Sequence, residues 1–320
     1  MKSRSLAVAT GFMHQSAIPF AVAAGFALLL LATLPPATNA QPQKPPVEVP
    51  FEFVHNQIVV QAKIAGKGPF NMLVDTNTDP SAIDEKTARE LGLSIGSSGA
   101  PASGSGAEVR TTYPTMFPTV EVGSITAKQV PATTIDMSKI SARIDRPIAG
   151  VLGFSFLKDR IIQIDYGNLK LRFFAESPYP RIQLAPNTVN TIAMNFRREE
   201  GDVIVDSVFV NNEKMRATLD TGSSGSFSLT PEAVALLGLD DDAAEGKSEA
   251  SAGDYEGKNG ILKSIRMGRY AAEGVQASFF APKTGHDNRP WQVNIGNAFF
   301  QDFVMTFDFK DKIVVFERVD

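Results

Sequence analysis

The sequence predicts an all-β protein, mainly antiparallel, built from one fold unit used twice, with one or two short helices in each copy. Three observations carry this expectation. Three blocks recur in the same order at a nearly constant spacing of 143 to 146 residues, the mark of a duplicated structural unit. Most of the intervening segments alternate apolar and polar residues, the period of a half-buried strand. The helical signals are short and carry stop signs at both ends.

Residues 1–40 begin with Lys2 and Arg4 and continue through an apolar stretch from Ala17 to Leu34. They close on Pro35, Pro36 and the small residues Ala37 to Ala40. This is the three-part pattern of a secretory signal peptide cut after Ala40, which implies export to a periplasm or the exterior. Left uncut, about 18 apolar residues would just span a bilayer, so an N-terminal anchor is the alternative. Residues 41–50 are Pro-rich and read as a tether,.

The first copy is expected over residues 51–182. Gln57 to Ile64 alternates around Ile58, Val60, Ala62 and Ile64 and reads as a strand. Phe70 to Val74 runs into Asp75-Thr76-Asn77-Thr78-Asp79. Asp84 then caps a helix from Glu85 to Leu91, and Gly92 supplies its stop,. Ser97 to Gly106 is small, polar and Gly-rich. Val120 to Ile125, Ile161 to Ile164 and Leu169 to Phe173 read as strands, and Gly153 to Asp159 forms the closing block. A Pro-rich joint follows from Pro178 to Pro186.

Residues 183–320 repeat the plan. Val203 to Val210 is a strand, and Asn211-Asn212 supplies a hairpin turn,. Met215 to Leu219 then enters Asp220-Thr221-Gly222-Ser223-Ser224. Thr230 caps a helix from Pro231 to Leu237, with proline at the first helical position and Gly238 at the stop,. Asp240 to Gly257 is the second small, polar, Gly-rich stretch. Ile261 to Met267 and Ile313 to Phe316 are strands, and Gly296 to Asp302 matches the closing block. The two Asp-Thr pairs lie 145 residues apart, the helices 146 and the closing blocks 143.

An apolar strand ending in Asp220-Thr221-Gly222-Ser223-Ser224, a short helix ending in Leu-Gly-Leu, and a hydrophobic-Gly block resemble the retropepsin-like and pepsin-like aspartic proteases. Ala149-Gly150-Val151-Leu152-Gly153 and Val293-Asn294-Ile295-Gly296 resemble the second, Gly-centred motif of that family. The resemblance covers about residues 52 to 320. It implies an acid-protease-like bilobal barrel fold with two pseudo-two-fold-related lobes in one chain. It also implies an aspartic-type endopeptidase, acting on a polypeptide and needing no cofactor.

The chemistry explains why two copies matter. Two carboxyls held together do not both ionise easily, so one keeps a proton while the other serves as base. The resemblance assigns these roles to Asp75 and Asp220. It makes Thr76 and Thr221 the pair that bonds across the two-fold axis, Gly222 the residue that admits the opposite loop, and Ser224 the support of a carboxylate oxygen. Tyr113 and Tyr255 are the candidate aromatics of the hairpins that cover the site. The first copy departs from the pattern, with Asn77 where glycine is expected and Asp79 where Ser or Thr is expected. Asn tolerates a left-handed turn, and Asp79 is expected to add like charge beside Asp75. A peptide-binding protein with a degenerate first lobe is therefore the alternative function.

The composition narrows the remaining classes. The chain has 320 residues, a net charge of −4 and no cysteine. Disulfides, thiolate metal sites and Cys nucleophiles are excluded. Without clustered Lys and Arg, a nucleic-acid partner is not expected. The three histidines, His14, His55 and His286, have no ligand-spaced partner, so no metal site is expected,. A monomer with its two lobes paired within the chain is the expected state.

Overall fold

The computed structural model describes residues 44–103, 109–179, 190–239, 244–248, 255–281, 287 and 289–319. The signal-peptide segment, His14 and His286 lie outside the described residues, as do most of the joint at 178–186 and the tips of both Gly-rich stretches. No helix among the described residues is long and apolar enough to cross a membrane.

The first half of the chain contains β1 (Val47–Pro50), β2 (Glu52–Val54), β3 (Gln57–Ile64), β4 (Lys67–Val74), β5 (Ser81–Asp84), α1 (Glu85–Glu90), β6 (Ala100–Ser103), β7 (Val109–Thr112), β8 (Pro114–Val122), β9 (Ile125–Ile135), α2 (Ser138–Ile144), β10 (Gly150–Leu152), α3 (Phe154–Leu157), β11 (Ile161–Asp165) and β12 (Lys170–Phe174). The second contains β13 (Thr191–Asn195), β14 (Arg197–Glu199), β15 (Asp202–Val210), β16 (Glu213–Asp220), β17 (Phe227–Leu229), α4 (Pro231–Leu237), β18 (Ala244–Ser248), β19 (Tyr255–Met267), β20 (Tyr270–Phe280), β21 (Val293–Gly296), α5 (Asn297–Phe300), β22 (Phe303–Asp308) and β23 (Ile313–Arg318).

Each half closes on itself. In the first lobe the order β3-β4-β10-β5-β9-β8 returns to β3 through a β3–β8 pairing. In the second, β15-β16-β21-β17-β20-β19 returns to β15. Both are small barrels with apolar interiors. Inside the first lie Ile58, Val60 and Met72, and inside the second Val203, Val205 and Leu219, all essentially inaccessible. Closure removes the open strand edges that would otherwise invite pairing with another chain.

A third sheet, β1-β12-β11-β22-β23-β13, takes three strands from each half and joins the lobes. At its centre β11 and β22 run antiparallel with Gln163 opposite Thr306. These two residues are 143 apart, the spacing of the closing blocks, so equivalent positions of the repeat face each other. The pseudo-two-fold axis therefore passes between them, and the interface is isologous, as in a symmetric dimer. Gln163 Nε2 donates to Thr306 Oγ1 at 3.1 Å across the axis.

The local signals behave as read. Asp84 accepts from Thr87 N and Thr230 from Ala233 N at the two helix starts, and Gly238 ends α4 in the left-handed conformation. Asn211 and Asn212 both have positive φ in the hairpin between β15 and β16, as a tight primed turn requires.

Three expectations need correction. The tether does not reach residue 50. Val47–Pro50 pairs with β12 as an edge of the joining sheet, with Val49 buried and Glu48 bonded to Lys170 and Arg172. Val120 to Ile125 is not one strand. Gly123, with φ +57°, turns the chain between β8 and β9. The first lobe also carries a third short helix, α2, beyond the one or two expected.

Candidate active site

Each Asp-Thr turn is aimed by a pair of parallel strands. β4 runs alongside β10 with Val74 level with Leu152, and β16 alongside β21 with Asp220 level with Gly296. Short parallel strands with both faces buried fix the height of whatever follows them. Asp75 N donates to Leu152 O at 3.2 Å, so the chain leaves β4 already anchored to the end of β10.

The two turns then grip each other. Thr76 N donates to Thr221 Oγ1 at 3.0 Å, and Thr221 N donates to Thr76 Oγ1 at 3.1 Å. Thr76 Oγ1 donates onward to Leu219 O at 2.7 Å, and Thr221 Oγ1 to Val74 O at 3.0 Å. Both threonines are buried. Each hydroxyl is satisfied as donor and as acceptor, so neither threonine can be exchanged for an apolar residue without orphaning backbone groups.

The carboxyls are held differently. Asp75 Oδ1 accepts from Asn77 N at 2.7 Å and Thr78 N at 3.1 Å, and its Oδ2 accepts from Thr78 Oγ1 at 2.6 Å. Asp220 Oδ1 accepts from Gly222 N at 2.9 Å, and its Oδ2 from Asn294 Nδ2 at 3.0 Å. A Cβ added to Gly222 would lie 2.2 Å from Asp75 Oδ2 and 2.4 Å from its Cγ. Gly222 is thus the surface against which the Asp75 carboxyl rests, and any side chain there would displace it.

Burial pushes the Asp220 carboxyl up to about 8. The negative charge of Asp75, and more weakly that of Asp202, adds to the effect, while the Asn294 amide and the Gly222 N–H work against it. Asp202 is itself raised, first by burial, although Trp291 Nε1 donates to its Oδ2 at 2.7 Å and opposes the shift.

The first-lobe departures have structural partners. Asn77 does not adopt a positive φ, and neither does Gly222. Left-handed tolerance is therefore not what the position demands. The Asn77 side chain reaches into the second lobe. Its Nδ2 donates to Thr218 Oγ1 at 2.7 Å, and its Oδ1 accepts from Val203 N at 2.9 Å. Asp79 does not stand as a bare like charge beside Asp75. Arg198 Nη2 donates to its Oδ2 at 3.1 Å while Arg198 Nη1 donates to Thr76 O at 2.7 Å. The guanidinium lies over the Phe154 ring at 3.7 Å. Burial lowers the Arg198 pKa, and Asp79 and Asp202 offset part of that shift.

Other site residues were not legible as such. Thr78, three residues after Asp75, supplies the hydroxyl that sequence reasoning placed one residue later. Ser224 meets the rest of the chain through its carbonyl, which accepts from Asn56 Nδ2 at 3.0 Å. Gln57 Nε2 donates to Gly222 O at 2.9 Å, and the buried Asn297 Nδ2 donates to Thr221 O at 2.7 Å and Asn56 O at 2.8 Å. Each turn is therefore braced by the first hairpin of the opposite lobe, through Asn56 and Gln57 on one side and Arg198 on the other. Tyr113 sits at the root of the β6–β7 hairpin, tied through its backbone to Thr133 and Thr134. Tyr255 lies on β19 opposite Ser248, in the matching hairpin of the second lobe.

The sequence matches an aspartyl protease family profile twice, over residues 60–156 and 207–299. No curated protein sequence matches it. Among solved structures, an aspartic proteinase from Irpex lacteus aligns over 86% of this chain and 98% of its own, at 12% identity and a TM-score of 0.52. A retropepsin-like aspartic protease from Rickettsia conorii aligns over 42% of this chain and 94% of its own, at 18% identity and a TM-score of 0.32.

Proposed function

Because the chain belongs to the aspartyl protease family, we propose that it is an exported aspartic endopeptidase that hydrolyses peptide bonds with a water activated between Asp75 and Asp220. The observation that carries this reading is the reciprocal Thr76–Thr221 grip, which brings one carboxyl from each lobe to the same place. The raised Asp220 carboxyl supports it, since a pair that shares one proton supplies both an acid and a base,.

Asp75, which accepts three hydrogen bonds, takes the role of base and removes a proton from the water. The water oxygen bonds to the peptide carbonyl carbon as Asp220 gives its proton to the carbonyl oxygen. The tetrahedral diol then collapses. Asp75 passes its proton to the departing nitrogen, the C–N bond breaks, and the diol returns a proton to Asp220. Both carboxyls end as they began.

The alternative is a protein that grips a peptide without turnover, and it rests on Asn77. The side chain of Asn77 is engaged by Thr218 and Val203 in the other lobe, which favours the peptidase. The export reading rests on the signal-peptide pattern of residues 1–40, and the monomer on the joining of both lobes within one chain. The test is incubation of the mature chain with unfolded casein from about pH 3 to 7, with and without pepstatin. Pepstatin-sensitive cleavage is expected. A folded protein that leaves casein intact throughout would overturn the peptidase reading.

A further inference from the structure

We infer that Asn294 is the positioning residue of Asp220, the side-chain donor that holds its outer carboxyl oxygen. The inference rests on the reading of Asp220 as half of a catalytic pair. Asn294 lies on β21, level with Thr218 on β16. Its Nδ2 donates to Asp220 Oδ2 at 3.0 Å. The residue is 5% exposed, and its Oδ1 is buried with no hydrogen-bond partner among the described residues. An orphaned buried acceptor beside an ionisable group calls for a physical reason.

The two lobes solve the same task differently. The position of the first lobe equivalent to Asn294 is Val151, which is level with Leu73 on β4. There the outer carboxyl oxygen is held instead by the Thr78 hydroxyl. The Ser223 hydroxyl, the counterpart of the Thr78 hydroxyl, makes no bond to the Asp220 carboxyl among the described residues, although Ser223 N donates to Asp220 O at 3.2 Å. Asn294 fills that role from another strand. Thr78 acts beside two backbone N–H groups on Asp75, and backbone N–H groups only donate. A carboxamide presents a donor on one side and an acceptor on the other. As described, Nδ2 faces Asp220, which suits a carboxylate. Turning Nδ2 to Asp220 is what leaves Oδ1 without a partner, so the amide is oriented by the carboxyl and not by its own acceptor. The charged groups facing Asp220 are Asp75 and Asp202, the latter held by Trp291 and flanked by Arg198 and Arg289. Substituting Asn294 changes none of them.

The test uses Asn294→Val, which places in the second lobe what the first already accommodates, and Asn294→Ala, which cannot crowd the site. The Asp220 carboxyl is followed by 13C NMR in the full mature chain, its signal assigned by its loss in Asp220→Asn. The pH dependence of peptide cleavage is measured in parallel. With the donor gone, Asp220 titrates about one pH unit higher. The alkaline limb of kcat/KM moves up with it, and kcat falls on the order of ten-fold from lost orientation. An unshifted carboxyl in both variants overturns the proposal, as does a kcat loss with the alkaline limb unmoved, which is what a merely structural role would give. The NMR titration needs no turnover. An inactive parent chain would therefore count against the peptidase reading and leave the Asn294 test intact.

Discussion

Replacing Asp220 by Asn removes a carboxyl that the fold pushes up to about 8. Its unfolded value is 3.8, so between roughly pH 4 and 8 the folded chain keeps a proton that the unfolded chain releases. A raised acid of this kind favours the folded state at low pH, and that contribution is lost as pH rises through the window. The span of about four units corresponds to a ceiling on the order of 5 kcal/mol. As a residue Asp220 is only half-buried, so solvent screening brings the expected loss to about 2–4 kcal/mol. Asp202, raised in the same direction, is present in both proteins and cancels in the comparison. The assay is urea unfolding at pH 4.5 and 7.5, followed by fluorescence of Trp291, the one tryptophan, which is buried in the second lobe. The parent should lose about 2–4 kcal/mol more than Asp220→Asn on going from the lower to the higher pH. Parallel pH dependence in the two proteins would refute the assignment of the stored proton to Asp220.

The other predictions concern the geometry around the pair. Gly222→Ala drives a methyl into the Asp75 carboxyl. It should abolish turnover, and the proton-linked pH dependence of unfolding should change because the two carboxyls no longer meet; an active Gly222→Ala would contradict the close approach. Thr76→Val orphans the Thr221 N–H and the Leu219 carbonyl, both buried. It should cost about 2–4 kcal/mol in urea unfolding, whereas a cost below about 0.5 kcal/mol would deny the grip its role. Asn77→Gly restores the family residue but strips Val203 N of its acceptor and Thr218 Oγ1 of its donor. Stability should fall by about 1–3 kcal/mol without a gain in casein cleavage. A large gain would instead revive the degenerate-lobe reading.

Much of this architecture could be read from the chain because its signals are local. The caps at Asp84 and Thr230, the stop at Gly238 and the Asn211-Asn212 turn each depend on residues within one turn of backbone. The repeat carried the rest, since strands that recur 143 to 146 residues apart must close into equivalent lobes. What escaped was non-local or polar against type. Asp79 finds its counter-charge in Arg198, 119 residues away, and no spacing rule links them. Asn294 sits inside a block that reads as hydrophobic, so its polarity was absorbed into the motif. The hydroxyl on the Asp75 carboxyl comes from Thr78, three residues after Asp75 and not four, and no local pattern separates those two positions. β1 was hidden by the surrounding prolines. Its pairing with β12 leaves Pro50 at the end of an edge strand, where a missing N–H is tolerated,.

The central claim, that one carboxyl from each lobe forms a single catalytic unit, is tested most directly by cleavage of unfolded casein with Asp75→Asn, Asp220→Asn and the double variant. The account predicts that each single change lowers turnover about a thousand-fold or more, and that the double variant is no worse than either, because the two groups act together. A single variant that retains its turnover would contradict it.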